Sequence, residues 1–142
     1  MLVSELIKRK NIIKQKLSEL EFYLEKIANV NSKKTLDNAS LYGSVLNNMF
    51  ELLDKYQNYI ILLDRSNKET EISVGTSTIR KSDALILRET VEEKIRILTV
   101  LATNDDPVID IPNLLTQRDK LIEEQILLNN AIEESDWRVS IG

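Results

Sequence analysis

Five polar side chains that could bind a ligand lie around one interruption between helical segments. They are Arg65, Asn67, Thr70, Asp83 and Arg88. Two guanidinium groups, an amide, a hydroxyl and a carboxylate offer both donors and acceptors, so they could form a small polar binding site or a subunit contact. The same groups could instead cap helix ends and hold the interruption in place through hydrogen bonds and an ion pair. Charged and polar residues at helix ends commonly have this structural role, which we favour here.

The chain lacks the residue types that most other catalytic and metal sites use. Histidine and cysteine are both absent, which excludes disulfides, thiolate nucleophiles and the usual zinc, haem and di-iron ligand sets. The three glycines are isolated, so no glycine-rich phosphate loop is present. Adjacent acids occur at 92–93, 123–124 and 133–134, but neighbours on a helix point about 100° apart and do not converge. We therefore predict no enzyme, no catalytic residue, no cofactor and no metal site.

The composition favours a single helical domain over residues 1–142. Hydrophobic residues make up 42% of the chain and charged residues 30%, which is typical of a folded protein rather than a disordered one. Only three glycines and two prolines interrupt the chain, so its elements should be long. Aromatic residues make up only 5%, so the core should consist mainly of Leu, Ile and Val.

The N-terminal half contains two segments with apolar residues at alternating steps of three and four, the pattern of an amphipathic helix. We predict helices over about 2–29 and 40–66, joined by a polar loop. The expected buried positions of the first are Val3, Leu6, Ile13, Leu17, Leu20, Leu24 and Ile27, and those of the second are Tyr42, Leu46, Met49, Leu53, Tyr56, Ile60 and Leu63. Further apolar residues beside these stripes make both faces wider than a two-stranded coiled coil requires.

The C-terminal half repeats this pattern over about 83–103 and 112–135, the second segment starting at Pro112 after an extended link. The expected buried positions are Ala84, Leu87, Val91, Ile95, Leu98 and Leu101 in the third helix, and Leu114, Arg118, Leu121, Gln125, Leu128 and Ile132 in the fourth. Two polar side chains in the last stripe are typical of positions that fix register or partner. Trp137 should close the last apolar cluster with Val139 and Ile141.

Between the second and third helices, residues 70–79 predict a small β-hairpin. β-branched residues flank Gly75, which permits a positive φ in the turn. A lone hairpin is marginally stable, so this one must pack on helix ends or pair with another chain. Ser82 is the expected N-cap of the third helix, with Asp83 in its first turn. The resulting prediction is an all-α fold, an elongated antiparallel, coiled-coil-like bundle of four long helices with one inserted β-hairpin.

Charge is distributed unevenly along the chain. Residues 1–34 contain eight Lys or Arg against four acids, whereas residues 99–142 contain three against nine. The ends could therefore complement each other, within one chain or between copies. The basic excess is too small to predict nucleic-acid binding. We predict a homo-oligomer.

Membrane insertion and secretion are not predicted. The longest apolar run, residues 59–63, is far shorter than the roughly 20 residues of a spanning helix. The N-terminal apolar residues are interrupted by 8–10, which are all basic, so no signal peptide is visible and a cytoplasmic location is expected. The first helix is amphipathic and basic enough to lie on a membrane surface, although its four acids disfavour anionic lipid.

Three segments carry a family resemblance. Leu63-Asp64-Arg65-Ser66-Asn67 is similar to the end of a family helix, with Asn67 matching, and Ser82-Asp83-Ala84-Leu85-Ile86-Leu87-Arg88 matches a family helix start intact. Ile132-Glu133-Glu134-Ser135-Asp136-Trp137 is similar to a C-terminal family pattern, with acids replacing amides. On these residues the chain resembles the septicolysin-like family of small, largely uncharacterised bacterial helical proteins. The resemblance implies helical hairpins joined by a β-hairpin, an oligomer and, from the family name alone, a membrane-active cytolysin as the alternative function.

Overall fold

Four helices and one β-hairpin form the protein in the computed structural model, which describes residues 1–30, 36–104 and 106–141. The elements in chain order are α1 (Val3–Val30), α2 (Leu36–Glu69), β1 (Glu71–Val74), β2 (Ser77–Arg80), α3 (Lys81–Ala102) and α4 (Ile111–Arg138). The predicted all-α class, with four helices and a β-hairpin between the second and third, is confirmed. Coiled-coil packing stays a prediction.

Helix α2 is longer than the sequence pattern indicated. It begins at Leu36 rather than at residue 40, and it continues through Asn67 and Lys68, which were expected to end it. The amide of Thr70 still donates to the carbonyl of Ser66 at 2.9 Å, in helical geometry. Asn and Lys weaken a helix only slightly, so without Gly or Pro they do not end it. Within the predicted polar loop, residues 31–35 lie outside the described residues, as does Asp105 in the predicted end of α3.

The hairpin runs directly into α3 without a loop. Ser82 was predicted as the N-cap, but the N-cap is Arg80, which has extended backbone angles and no capping side-chain bond. The backbone amide of Lys81 donates to the carbonyl of Thr70 at 2.8 Å, which closes the hairpin where the helix starts. Because this bond already sets where α3 begins, Ser82 falls inside the first turn.

The hairpin turns at Gly75 with a positive φ, as predicted. Ile72 pairs with Ile79 and Val74 with Ser77, which leaves a two-residue turn headed by Gly75 at φ +61. Glycine at the first central position is typical of a type II′ turn. The strands lie one residue later than residues 70–79.

Helix α4 starts at a side-chain cap. The carboxylate of Asp110 accepts a hydrogen bond from the amide of Asn113 at 3.2 Å, and Pro112 lies in the first turn as predicted. The predicted extended link before it is instead a turn, because the amide of Ile109 donates to the carbonyl of Asp106 at 3.1 Å. The helix continues to Arg138, three residues past the predicted end.

The chain divides into two compact units, so a single domain stays a prediction. The first unit comprises Met1–Asp64 with Ile141 and the second Arg65–Ser140. In the first unit, the ammonium group of Met1 donates to the carbonyl of Ile141 at 3.1 Å, and the backbone amide of Ile141 donates to the carbonyl of Met1 at 2.7 Å. The buried apolar residues of this unit are Val3, Leu6, Ile13, Leu24 and Leu63. The predicted position Ile27 has its side chain outside the description.

The second unit has a core between α3, α4 and the hairpin. Its buried members are Ile72, Ala84, Val91, Leu128 and Ile132. The two helices run antiparallel, since Lys81 at the start of α3 contacts Asp136 near the end of α4. The predicted stripe of α4 is correct at each of its six positions, all of which are buried or half-buried.

Two predicted stripes and the tryptophan need correction. On α2, the predicted positions Tyr42, Leu53 and Ile60 are exposed. Leu52 and Tyr59 are half-buried in place of Leu53 and Ile60. On α3, Leu87 and Leu101 are exposed, and the half-buried positions include Arg88 and Ala102. Trp137 is 60% exposed and does not close a cluster. In each helix apolar residues occupy more than one face, so periodicity alone could not select the face that packs.

Candidate functional site

The five residues of the predicted polar cluster all belong to the second unit, but they differ in exposure. Arg65 and Asp83 are exposed, whereas Asn67, Thr70 and Arg88 are half-buried. Thr70 contributes through its backbone, since its amide donates to Ser66 and its carbonyl accepts from Lys81. A binding role for the cluster stays a prediction.

The expected ion pair within this cluster does not form. Asp83 and Arg88 are five residues apart on α3, which places them about 140° apart around the helix axis. Asp83 faces solvent and Arg88 lies on the packed side. Among the described residues, side-chain ion pairs join Lys81 to Asp136 and Arg96 to Glu93 instead.

Lys81 lies at the junction where the base of the hairpin, the first turn of α3 and the last turns of α4 meet, and it connects all three. Its side chain is 3% exposed and its ammonium group donates to Oδ1 of Asp136, whose side chain is 17% exposed. Its backbone amide closes the hairpin at Thr70. One residue therefore joins the base of the hairpin, the first turn of α3 and the last turns of α4.

Two buried serines belong to the same unit as this pair. Ser135, next to Asp136, is fully buried, and its hydroxyl donates to the carbonyl of Ile132 at 2.7 Å. Ser66, which accepts the amide of Thr70 through its carbonyl, is also buried. Buried polar groups are expensive unless hydrogen-bonded, so the paired ammonium and the bonded Ser135 hydroxyl indicate a structural joint.

Sequence reasoning missed Lys81 and Asp136, although a signal for both was present. Lys81 lies three residues before Ala84, and Asp136 lies four residues after Ile132. Extending the packed stripe of each helix by one step therefore places two opposite charges on facing sides. Lys81 falls between the predicted hairpin, which ends at residue 79, and the predicted third helix, which begins at residue 83, and the predicted stripe of α4 stops at Ile132.

A second ion pair is fully exposed on α3. Nε of Arg96 donates to the carboxylate of Glu93 at 3.1 Å. This hydrogen bond, aided by the charge of the guanidinium group, lowers the pKa of Glu93 below its ordinary value and raises the pKa of Arg96. The pair is three residues apart on one helix and is a typical solvent-exposed contact.

Concave sites with catalytic character are not evident in the described ranges. A shallow depression lies along one side of α2, lined by Ser40, Gly43, Ser44, Val45, Asn47, Asn48 and Glu51. Glu51 is the single titratable residue in this lining. Across residues 1–30, 36–104 and 106–141, no group of three acidic, His or Cys side chains could hold a metal ion.

Large apolar side chains are exposed in both units. In the second unit they include Ile86, Ile97, Val100, Val108, Ile126, Leu127 and Trp137. In the first unit the most regular set lies on α2, where Phe50 is 58% exposed, Ile61 46% and Leu53 45%. Isolated exposed apolar residues are ordinary, but a row of them on one helix indicates a surface for binding a protein, a membrane or a ligand.

Crossing a membrane requires a helix of sufficient length and apolar character. None of the helices, over the residues that the structure describes, is both long and apolar enough to cross a bilayer.

Comparison with known proteins adds a fold. No protein-family model matches the chain, and no curated protein matches it. A crystal structure of a functionally unknown conserved protein from Corynebacterium diphtheriae is similar to it, with a TM-score of 0.84 and 20% sequence identity. The alignment covers 100% of this chain and 99% of that one. At this identity the two share a fold. The septicolysin-like resemblance stays a prediction.

Proposed function

We propose that this protein is a non-enzymatic structural or interaction protein that forms a helical homo-oligomer. The observation that carries the proposal is the row of exposed apolar side chains on α2, together with those on α3 and α4. Burying apolar surface is the main driving force for protein association. When another chain covers the second apolar face of a helix, the free energy of the assembly is therefore lowered.

The polar junction supports a structural role rather than a catalytic one. A catalytic group needs a free polar atom in a cleft, with a partner that tunes it. At the junction the ammonium group of Lys81 is already bound to Asp136, and Asp83 lies on the exposed surface. Lys81 and Asp136 hold the hairpin, α3 and α4 together, which is the role that an oligomer's rigid building block requires.

A membrane-active protein is the second candidate, and one observation favours it. Helix α1 exposes Ile12, Phe22 and Tyr23 on a helix that also carries a basic excess, as interfacial helices do. Dye release from vesicles of anionic phospholipid would test it, and the absence of leakage at micromolar protein would exclude it. The proposal includes a cytoplasmic location, which cell fractionation can test.

Size-exclusion chromatography with light scattering tests the homo-oligomer directly. The full chain has a mass of 16.4 kDa, so we expect at least twice this mass at micromolar concentration, with dissociation on dilution. A chain that keeps the monomer mass from low micromolar to submillimolar concentration would refute the proposal.

A further inference from the structure

Most exposed apolar residues of α2 in the first unit lie along one side of the helix, which also carries half-buried Leu46 and exposed Asp64, whereas exposed Leu41 lies on another side. We define the outer stripe of α2 as Tyr42, Phe50, Leu53, Gln57, Ile60 and Ile61. At about 100° per residue these positions fall within a sector of about 100°. All six are exposed, and five are apolar or aromatic with at least 38% of their surface accessible.

The outer stripe is additional to the face that α2 already buries. Val45, Leu52 and Tyr56 are half-buried, and Leu63 is buried. These residues lie about 80° to 140° around the helix from the middle of the outer stripe. Helix α2 therefore has one apolar face packed within the chain and a second that is open.

The charges beside the stripe determine how a second copy could lie on it. Gln57 is its only polar member, and Leu53 and Ile61 lie four residues to either side. Asp64 lies near the middle of the sector of the outer stripe, so in a parallel pair it would face its own copy, which is unfavourable for like charges. In an antiparallel pair centred on Gln57, Asp64 faces Phe50 of the other copy and no carboxylate faces another.

The exposed area suits a pair of copies. Five side chains that are about half exposed leave on the order of 400 Å² accessible, which is within the range of the largest patch on a typical monomer. A standard interface covers about 800 Å² on each partner, of which rather more than half is apolar. The outer stripe supplies about that apolar share, and the polar residues beside it supply the rim.

We propose that two copies of this chain pair antiparallel along the outer stripes of α2, with Gln57 at the two-fold axis. This inference rests on the proposed homo-oligomer and specifies its surface and geometry. The pair is isologous, so each copy contributes the same patch. Leu53 of one copy packs beside Ile61 of the other, and the two Gln57 amides face each other across the axis.

Single cysteines test the geometry cleanly, because the natural chain contains none. A Gln57→Cys variant of the full chain should form a disulfide-linked dimer under mild oxidation, since the two positions meet at the axis. A Phe50→Cys variant should not, because seven residues separate each copy from the axis, or about 20 Å between the two sulfurs. Non-reducing electrophoresis reads both. Efficient coupling through Phe50→Cys would indicate a parallel pair and overturn the proposed geometry.

A charge at the stripe tests the surface itself. Phe50→Glu should raise the dissociation constant of the dimer at least about 30-fold, the effect of losing a strong interface contact. The matched control is Ile86→Glu, since Ile86 is also exposed but lies on α3, and it should leave dimerisation unchanged. Both variants should keep the helical circular dichroism of the natural chain.

The outcomes separate the two proposals. If the natural chain is a monomer, the proposed function fails. If it is an oligomer but Gln57→Cys does not couple and Phe50→Glu dissociates no better than Ile86→Glu, only the α2 surface is refuted. Purification of the chain with a different protein on the stripe, released by Phe50→Glu while self-association persists, would likewise overturn it.

Discussion

Breaking the buried ion pair between Lys81 and Asp136 should destabilise the protein strongly. In the variant Asp136→Ala, the ammonium group of Lys81 loses its partner while its side chain stays 3% exposed. Removing one member of a buried pair typically costs 3–5 kcal/mol, because the remaining charge is left desolvated. The carboxylate side of the pair is 17% exposed, so water can partly replace it, and we expect about 3 kcal/mol.

That loss is large relative to the whole protein. At roughly 0.1 kcal/mol per residue, a chain of this length has a free energy of unfolding on the order of 10 kcal/mol. About 3 kcal/mol is therefore close to a third of it, and it should lower Tm by about 10 °C. Urea titration followed by helical circular dichroism measures the change. Because the chain has two compact units, tryptophan fluorescence should be followed in parallel to verify a single transition.

The double variant Lys81→Met with Asp136→Leu makes the reasoning sharper. It removes both charges together, so no desolvated charge remains, and it should be near neutral or more stable than the natural protein. The control is Arg96→Met in the exposed pair on α3, which should lower the free energy of unfolding far less than Asp136→Ala does. If Asp136→Ala costs less than about 1 kcal/mol, or if the double variant is destabilised as much as Asp136→Ala, the ammonium of Lys81 is not held by this contact.

Three further predictions concern backbone, core and pH. Gly75→Ala should destabilise by about 1 kcal/mol because φ is +61 there. Gly43→Ala, in a helix with open space around it, should stabilise by up to about 1 kcal/mol. If urea titrations show that both glycine variants change the free energy of unfolding in the same direction, the assigned backbone is contradicted. Leu128→Ala should cost 2–5 kcal/mol through the cavity it leaves, whereas exposed Leu127→Ala should cost less than about 1 kcal/mol; equal losses would contradict the packing. Because the pKa of Glu93 is lowered in the folded protein, its carboxylate stabilises the fold at pH values above its ordinary pKa. This stabilisation is lost as the pH falls through the lowered pKa. Glu93→Gln should therefore reduce Tm slightly at pH 7 and not at pH 2; a larger reduction at pH 2 would reverse the assigned sign.

The class of fold could be predicted from the sequence because its signals are local and repeated. Apolar steps of three and four recur along four long segments, and Gly75 between β-branched residues indicates one hairpin. The stripe of α4 was also correct, including Arg118 and Gln125. On that helix the packed face includes the polar positions, so the heptad spacing identified it even though apolar content did not.

The position of the helix ends was less predictable because tertiary contacts set them. Ser82 has the residue type of an N-cap, and an isolated peptide would use it. In the folded chain the hydrogen bond from Lys81 to Thr70 closes the hairpin and starts the helix two residues earlier. The polar loop before α2 was shortened for a related reason, since polar residues that are good enough helix formers extend a helix until something stops it.

The error on α2 shows why the surface for a partner was invisible in the sequence. Leu52 and Leu53 are adjacent apolar residues, and so are Tyr59 and Ile60, so two stripes fit the same periodicity. The structure half-buries Leu52 and leaves Leu53 exposed. A helix with one apolar face needs only its own chain, whereas a helix with two needs another packing partner for the second. The ambiguity in the pattern of α2 is what the proposed pairing would produce, since in that pairing Leu53 faces the second copy rather than the core of its own chain.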